Sequence, residues 1–145
     1  MRISQVLAGK TSKDVVTVRP DATVRDLLAL LAEHNIGALV VSENGTTVDG
    51  IVSERDVVRR LHENEQILDS AVSAIMTADV RTAQSDSSVN ELMQVMTERR
   101  FRHMPVVDDG VLTGIISIGD VVKSRMSELE FERDQLDSYV HTSQT

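Results

Sequence analysis

A nine-residue stretch that occurs twice constrains the fold of this 145-residue chain more than any other feature. The two copies span residues 50–58 and 114–122, which read GIVSERDVV and GIISIGDVV. Glycine, an apolar pair, serine, aspartate and a closing Val-Val keep the same spacing in both. Each copy predicts the end of a strand followed by the start of a helix, with Ser53 or Ser117 at the N-cap position.

Two interpretations of this junction are open. A helix N-terminus presents unpaired N–H groups that favour an anion such as phosphate, and an aspartate one turn further on can accept hydrogen bonds from a sugar diol. Alternatively, serine and aspartate form a capping box that satisfies backbone donors. Because such boxes prefer Glu or Gln and both copies carry the shorter Asp56 or Asp120, the pair favours a ligand site.

The similarity extends over about 65 residues in the order strand, helix, strand, strand, helix, so the chain is predicted to hold two α/β repeats. In the first repeat, strands are expected at 15–18, 38–41 and 48–52 and helices at 24–34 and 54–62. In the second, strands are expected at 80–83, 103–107 and 111–116, with helices after Ser88 and from Ile118. One repeat alone buries little apolar surface. Packing the two sheet to sheet about a pseudo-twofold axis leaves two related clefts.

Composition narrows the functions that are compatible with this fold. A net charge of −8 disfavours binding to nucleic acid or anionic lipid, and no apolar run is long enough for a membrane span. There is no cysteine, and the catalytic and metal-ligating motifs of common enzyme families are missing. We therefore expect a cytoplasmic protein that is not an enzyme, with no catalytic residues, no metal site and no required cofactor.

The segment after the second repeat, residues 125–145, is predicted to be a helical extension. Met126, Leu129, Leu136 and Val140 form an apolar stripe at helical spacing, with acidic residues between them. We expect it to pack either on this chain or on a dimer mate.

The doubled motif, together with Arg102-His103-Met104-Pro105-Val106-Val107 before the second copy, resembles the tandem cystathionine-β-synthase (CBS) domain pair, or Bateman module. The resemblance implies two CBS repeats at 1–68 and 69–124 without a catalytic domain. It implies a regulatory module that binds adenosine-containing ligands, AMP, ADP or ATP foremost, between its repeats, and it implies a homodimer.

The resemblance also implies which residues form each cleft. One cleft would use Ser53, Arg55, Asp56, Thr82, Arg102 and Met104, and the other Thr17, Ile36, Gly37, Ala38, Ser117 and Asp120. Gly119 and Gly37 stand in the second cleft where Arg55 and Arg102 stand in the first. Because arginine is a strong phosphate ligand, we predict that the Asp56 cleft takes the more highly phosphorylated ligand.

Three other functions are compatible with the same residues. The chain could be a variant that binds NAD(H) or S-adenosylmethionine, or a dimerising scaffold that docks a protein partner without any nucleotide. A nucleotide hydrolase is disfavoured because no nucleophile pairs with His103.

Overall fold

The structure, a computed structural model, describes residues 1–10 and 15–143 and shows a mixed α/β fold. The order of helices and strands confirms the predicted repeat except at one strand. The elements are α1 (Ile3–Ala8), β1 (Thr17–Val18), α2 (Val24–His34), β2 (Ala38–Val41), β3 (Gly50–Ser53), α3 (Glu54–Glu63), α4 (Val89–Arg99), β4 (His103–Asp108), β5 (Val111–Ser117) and α5 (Ile118–Ser143). Two short 3₁₀ helices, Glu65–Asp69 and Val72–Ala74, connect the halves.

Each repeat has its own small sheet. In the first, β1 runs parallel to β2 and β2 runs antiparallel to β3, with Thr17 opposite Val40 and Val40 opposite Ile51. In the second, β4 and β5 form an antiparallel pair. The short strands and the apolar β2, which is buried along its whole length, agree with the sequence pattern.

The strand predicted at residues 80–83 is the exception. Only Ala83 pairs with β4, through a parallel bridge to Val106. Extending this ladder toward residue 81 would require an N–H from Pro105, and proline has none. The predicted strand was therefore wrong except for its last residue.

Each of the two hydrophobic cores includes a short segment that belongs to the other repeat in sequence. Ile3 and Val6 of α1 lie in the core of the second repeat, whereas Val72 and Ile75 lie in the core of the first. The cores therefore cross the predicted boundary near residue 68, and the linear domain limits stay predictions. Each repeat is completed by residues that are distant in sequence, which ties the two halves together.

The repeated glycines lie where these exchanged segments cross the sheets. A Cβ on Gly50 would stand 2.8 Å from both the Met76 sulfur and the Thr77 carbonyl oxygen. On Gly114 it would stand 3.0 Å from the Leu7 side chain. Close packing between the repeats thus explains the glycine that opens each copy of the motif.

The predicted C-terminal helix is present and continues α5 without a break to Ser143; residues 144–145 of the predicted extension lie outside the described residues. Val121 is buried, but Leu129 and Leu136 are exposed. The stripe therefore does not pack on this chain at those positions. Across the part of the chain that the structure describes, no helix has the length and apolar character needed to cross a membrane.

Candidate functional site

The two repeated junctions have nearly identical backbone geometry. The Ser53 N–H donates to Asp56 Oδ2 at 2.9 Å, and the Asp56 N–H donates to Ser53 Oγ at 3.3 Å. The corresponding distances at Ser117 and Asp120 are 2.9 Å and 3.1 Å. Both junctions are capping boxes, so one of the two interpretations left open by the sequence is established.

A third capping box shows that the short aspartate does not by itself indicate a ligand. Thr23 and Asp26 make the same reciprocal pair at the start of α2. The inference from aspartate length was therefore weak. Capping and ligand binding are nevertheless compatible, since the hydrogen bonds of the described residues at Asp56 and Asp120 use Oδ2 and leave Oδ1 available.

Each helix start is hydrogen-bonded to the residue that directly precedes the neighbouring strand of its own sheet. The Glu54 N–H donates to the Gly37 carbonyl at 3.0 Å, and the Ile118 N–H donates to the Arg102 carbonyl at 2.9 Å. In each helix the N–H of the second residue, Arg55 or Gly119, has no intrahelical acceptor. These donors, with the positive end of each helix dipole, suit an anion in front of the junction.

Both junctions open into one cleft of about 930 Å³ between the repeats. This volume falls within the range that holds small-molecule ligands. Seven of the twelve predicted site residues line it, drawn from both of the predicted sets: Gly37, Ala38, Ser53, Arg55, Asp56, Arg102 and Ser117.

The cleft is cationic although the chain is acidic. Arg55, Arg59, Arg100 and Arg102 line it, against two carboxylates from Glu54 and Asp56. In a chain with a net charge of −8, this is a local excess of positive charge. Such a concentration of cationic side chains makes the electrostatic potential of the cleft favourable for anionic groups such as phosphate.

The other five predicted residues lie elsewhere. Thr82 is exposed and Met104 is a core residue, and both line a separate cavity of about 120 Å³ that is small for a nucleotide. Thr17 lies in β1, and Ile36 is an exposed residue that precedes β2. None of these four residues lines the cleft that contains Asp56, and their roles in binding stay predictions.

The last of these five residues, Asp120, is ion-paired with Lys10, which the sequence did not indicate as a site residue. Lys10 Nζ lies 3.0 Å from Asp120 Oδ2 and donates to the Ile115 carbonyl at 2.9 Å. Burial alone would raise the pKa of the Asp120 carboxyl. Hydrogen bonds from the Ser117 N–H and from Lys10, together with the charge of Lys10, outweigh it and lower that pKa.

His103 lines the same cleft at the start of β4. Burial, followed by the charge of Arg102, lowers the pKa of its imidazole, so His103 is neutral at physiological pH. Within the described residues, no group of three or more His, Asp or Glu side chains is placed to hold a metal ion.

Arg59 and Arg100 were also missed as cleft residues. Arg59 follows Arg55 by four residues and therefore lies on the same face of α3, a signal that helical spacing provides. Arg100 is the residue directly after α4, where it adopts the left-handed conformation with φ of 59°, and it lines the cleft. No local pattern indicates Lys10, since its partner is 110 residues away in sequence.

Comparisons with known proteins agree with this architecture. A family model described as CBS domain matches residues 3–63 and 72–127. The chain is similar to an uncharacterized 17.7 kDa protein of Acidianus ambivalens, with 34% identity over 85% of this chain and 72% of that protein. The crystal structure of the CBS-domain protein ATU1752 from Agrobacterium tumefaciens is 42% identical, with a TM-score of 0.81 over 86% of this chain and 99% of that one.

A more distant structure shares the fold and carries ligands. The CBS domain pair of protein MJ0100, solved in complex with 5'-methylthioadenosine and S-adenosyl-L-methionine, is 24% identical. It superposes with a TM-score of 0.78 over 88% of this chain and 98% of that chain.

Proposed function

Since this chain belongs to the CBS domain family, with two CBS repeats in tandem, we propose that it is a regulatory module whose inter-repeat cleft binds an adenine nucleotide. The observation that carries this proposal is the cleft itself. Two helix N-termini open into one space of about 930 Å³ whose walls hold four arginines. Polar donors at both junctions and the arginines can share one phosphorylated ligand.

The ligand class follows from chemistry that the cleft offers to each part of a nucleotide. The arginines suit phosphate, the free oxygen of Asp56 suits the ribose hydroxyls, and the apolar walls from Ala38, Ile51 and Phe101 suit a base. Support for an adenosyl group comes from MJ0100, whose CBS pair binds two adenosine-containing compounds. Among such ligands, the cationic walls favour AMP, ADP or ATP over the positively charged S-adenosylmethionine.

In this function the chain catalyses nothing. CBS pairs are in general regulatory, and ligand occupancy would shift the equilibrium between two arrangements of the repeats or of a dimer. The signal would pass to a protein partner in the cytoplasm, and the module would need neither membrane nor nucleic acid.

Thermal unfolding of the full chain tests the proposal directly. We expect AMP, ADP or ATP to raise the unfolding temperature, with a stabilisation of about 2.7 kcal/mol at a hundredfold excess over Kd. GTP at equal concentration is the matched control, because it carries the same charge with another base. Equal shifts from ATP and GTP would mean that the base is not recognised and would refute an adenine site.

The scaffold function predicts a different result. No ligand in a panel that includes NADH and S-adenosylmethionine would change the unfolding temperature, and the Asp56→Ala variant would retain its protein partner. A shift with NADH or S-adenosylmethionine alone would keep the cleft as the site and replace the ligand.

A further inference from the structure

His103 contributes an imidazole to the cleft that the fold itself does not use. The residue is half-buried at the start of β4 and lines the cleft. Among the residues that the structure describes, neither ring nitrogen takes part in a hydrogen bond or an ion pair. Each of these nitrogens can carry a proton, and a protonated imidazole donates from both. The ring is therefore available to a ligand.

The strand register places His103 beside the N-terminus of α5. His103 lies directly opposite Ser117 in the antiparallel pair of β4 and β5. The next residues along the two strands, Met104 and Ile116, are buried in the core of the second repeat, so His103 and Ser117 point to the other side of the sheet. Directly opposite residues have Cβ atoms about 4.5–5.5 Å apart. An anion in front of the α5 N-terminus would therefore lie within reach of the His103 ring.

Charged groups from every element packed around His103 act on its imidazole. Burial, followed by the charge of Arg102, lowers its pKa, and Lys10 after α1 lowers it further. Asp120 of α5 and Glu54 of α3 oppose this change, but they do not outweigh it. The other charged side chains that line the cleft are Arg55, Asp56, Arg59 and Arg100. Without an added anion, a proton on His103 is thus unfavourable.

On the basis of the proposed nucleotide site, we propose that His103 takes up one proton when a phosphorylated ligand enters the cleft, and that it binds a phosphate oxygen as an imidazolium. The proton comes from solvent and stays on the ring, and no other bond forms or breaks. An opposite charge within about 4–6 Å favours the charged form of a titratable group and changes its pKa by about 1 to 3. Adenosine brings no such charge and would leave His103 neutral. His103 would therefore distinguish phosphorylated adenine ligands from the nucleoside.

The sign of the pH dependence follows from this linkage. If the ligand raises the pKa of His103, the affinity for ATP increases as the pH falls through the raised value, and it levels off below the value without ligand. Uptake of one proton changes the affinity by at most about tenfold for each pH unit. The phosphates of ATP also titrate, with a pKa of about 6, so the effect has to be measured against a variant that lacks the imidazole.

Isothermal titration of the full chain with ATP, in two buffers of different ionisation enthalpy, counts the protons that are taken up on binding. We expect the wild type near pH 7 to take up about 0.5–1 proton more per ATP than His103→Gln, because glutamine is polar but cannot be protonated. Between about pH 8 and about pH 6.5, the wild type should gain roughly 3- to 10-fold in ATP affinity relative to this variant. With adenosine, the two proteins should not differ in proton uptake.

His62→Gln is the matched control, because His62 is exposed on α3 and does not line the cleft. It should take up as many protons as the wild type. If His103→Gln is unstable, an NMR titration of the wild-type imidazole gives the same answer, since ATP should raise the midpoint for His103 and adenosine should not.

Two kinds of failure can be told apart. ATP binding with equal proton uptake in the wild type and His103→Gln would overturn the proposal, and so would an uptake with adenosine as large as that with ATP. Either result would leave the nucleotide site in place. If neither ATP nor adenosine binds to the wild type, the proposed function itself fails, and the role of His103 fails with it.

Discussion

The two repeated junctions are alike in backbone and different in charge. At each, serine and aspartate cap a helix with hydrogen bonds between 2.9 and 3.3 Å, and the first helical N–H donates to the carbonyl of the residue just before a strand. Asp56, however, lines a cleft with four arginines, whereas Asp120 is ion-paired with Lys10.

The contrast arises from Lys10, which lies beside one of the two segments that cross between the repeats. Lys10 follows α1, and α1 packs in the core of the second repeat rather than the first. The two copies of the motif therefore receive their charge environment from segments outside the motif, and these segments differ between the repeats. A junction that is common to both halves can thus serve as a ligand contact in one and as a largely structural ion pair in the other.

Removing each aspartate in turn is the most direct test of whether the two junctions differ as ligand contacts. We expect Asp56→Ala to reduce ATP affinity on the order of 10- to 100-fold, because it deletes the carboxylate that would accept the ribose hydroxyls. Asp120→Ala should change the affinity less than about 3-fold, since its carboxylate already holds Lys10. Isothermal titration of both variants with ATP gives the two numbers.

Each variant controls for the other. Both lose one capping box, worth about 1 kcal/mol, and Asp120→Ala also loses the ion pair with Lys10, so its unfolding temperature without ligand should fall slightly further. Equal losses of ATP affinity would show that the two junctions are equivalent as ligand contacts.

The sequence alone could predict the features that local patterns determine, but not those that depend on long-range packing. The strand Ala38–Val41 and the helix Val24–His34 follow from local apolar patterns and caps, and both have the expected bounds. The arginine-lined cleft could be predicted in part from the sequence, because Arg55 and Arg102 belong to the repeated motifs. The ion pair between Lys10 and Asp120 and the exchange of Ile3 with Val72 between cores depend on long-range packing, which no local pattern encodes.

A smaller effect is expected from the arginine that distinguishes the two repeats. Arg102→Ala should weaken ATP binding roughly 5- to 10-fold, consistent with the loss of one charge-assisted hydrogen bond, and should leave adenosine binding unchanged. The backbone carbonyl of Arg102 that holds Ile118 is retained in this variant. Arg99→Ala is the matched control because Arg99 ends α4 and is exposed. If both variants weaken ATP binding equally, the effect is general electrostatics and not a contact within the cleft.

The smallest effect concerns Lys10 and is read from the pH dependence of unfolding. Because the folded-state pKa of Asp120 lies below its ordinary value, ionised Asp120 contributes stability above that ordinary value and loses it as the pH falls through the folded-state pKa. Lys10→Met removes one cause of the lowered pKa, so the variant should be less stable by about 0.5–1 kcal/mol near pH 7. The gap to the wild type should narrow as the pH falls below about 4, because the carboxylate is protonated first in the variant and, at lower pH, in the wild type. Urea unfolding at a series of pH values, with Lys123→Met as the control lysine on α5, measures this gap. A gap that stays constant from pH 7 to pH 3 would mean that Lys10 stabilises the fold through its alkyl chain, and the charge contrast between the two junctions would then have no energetic consequence.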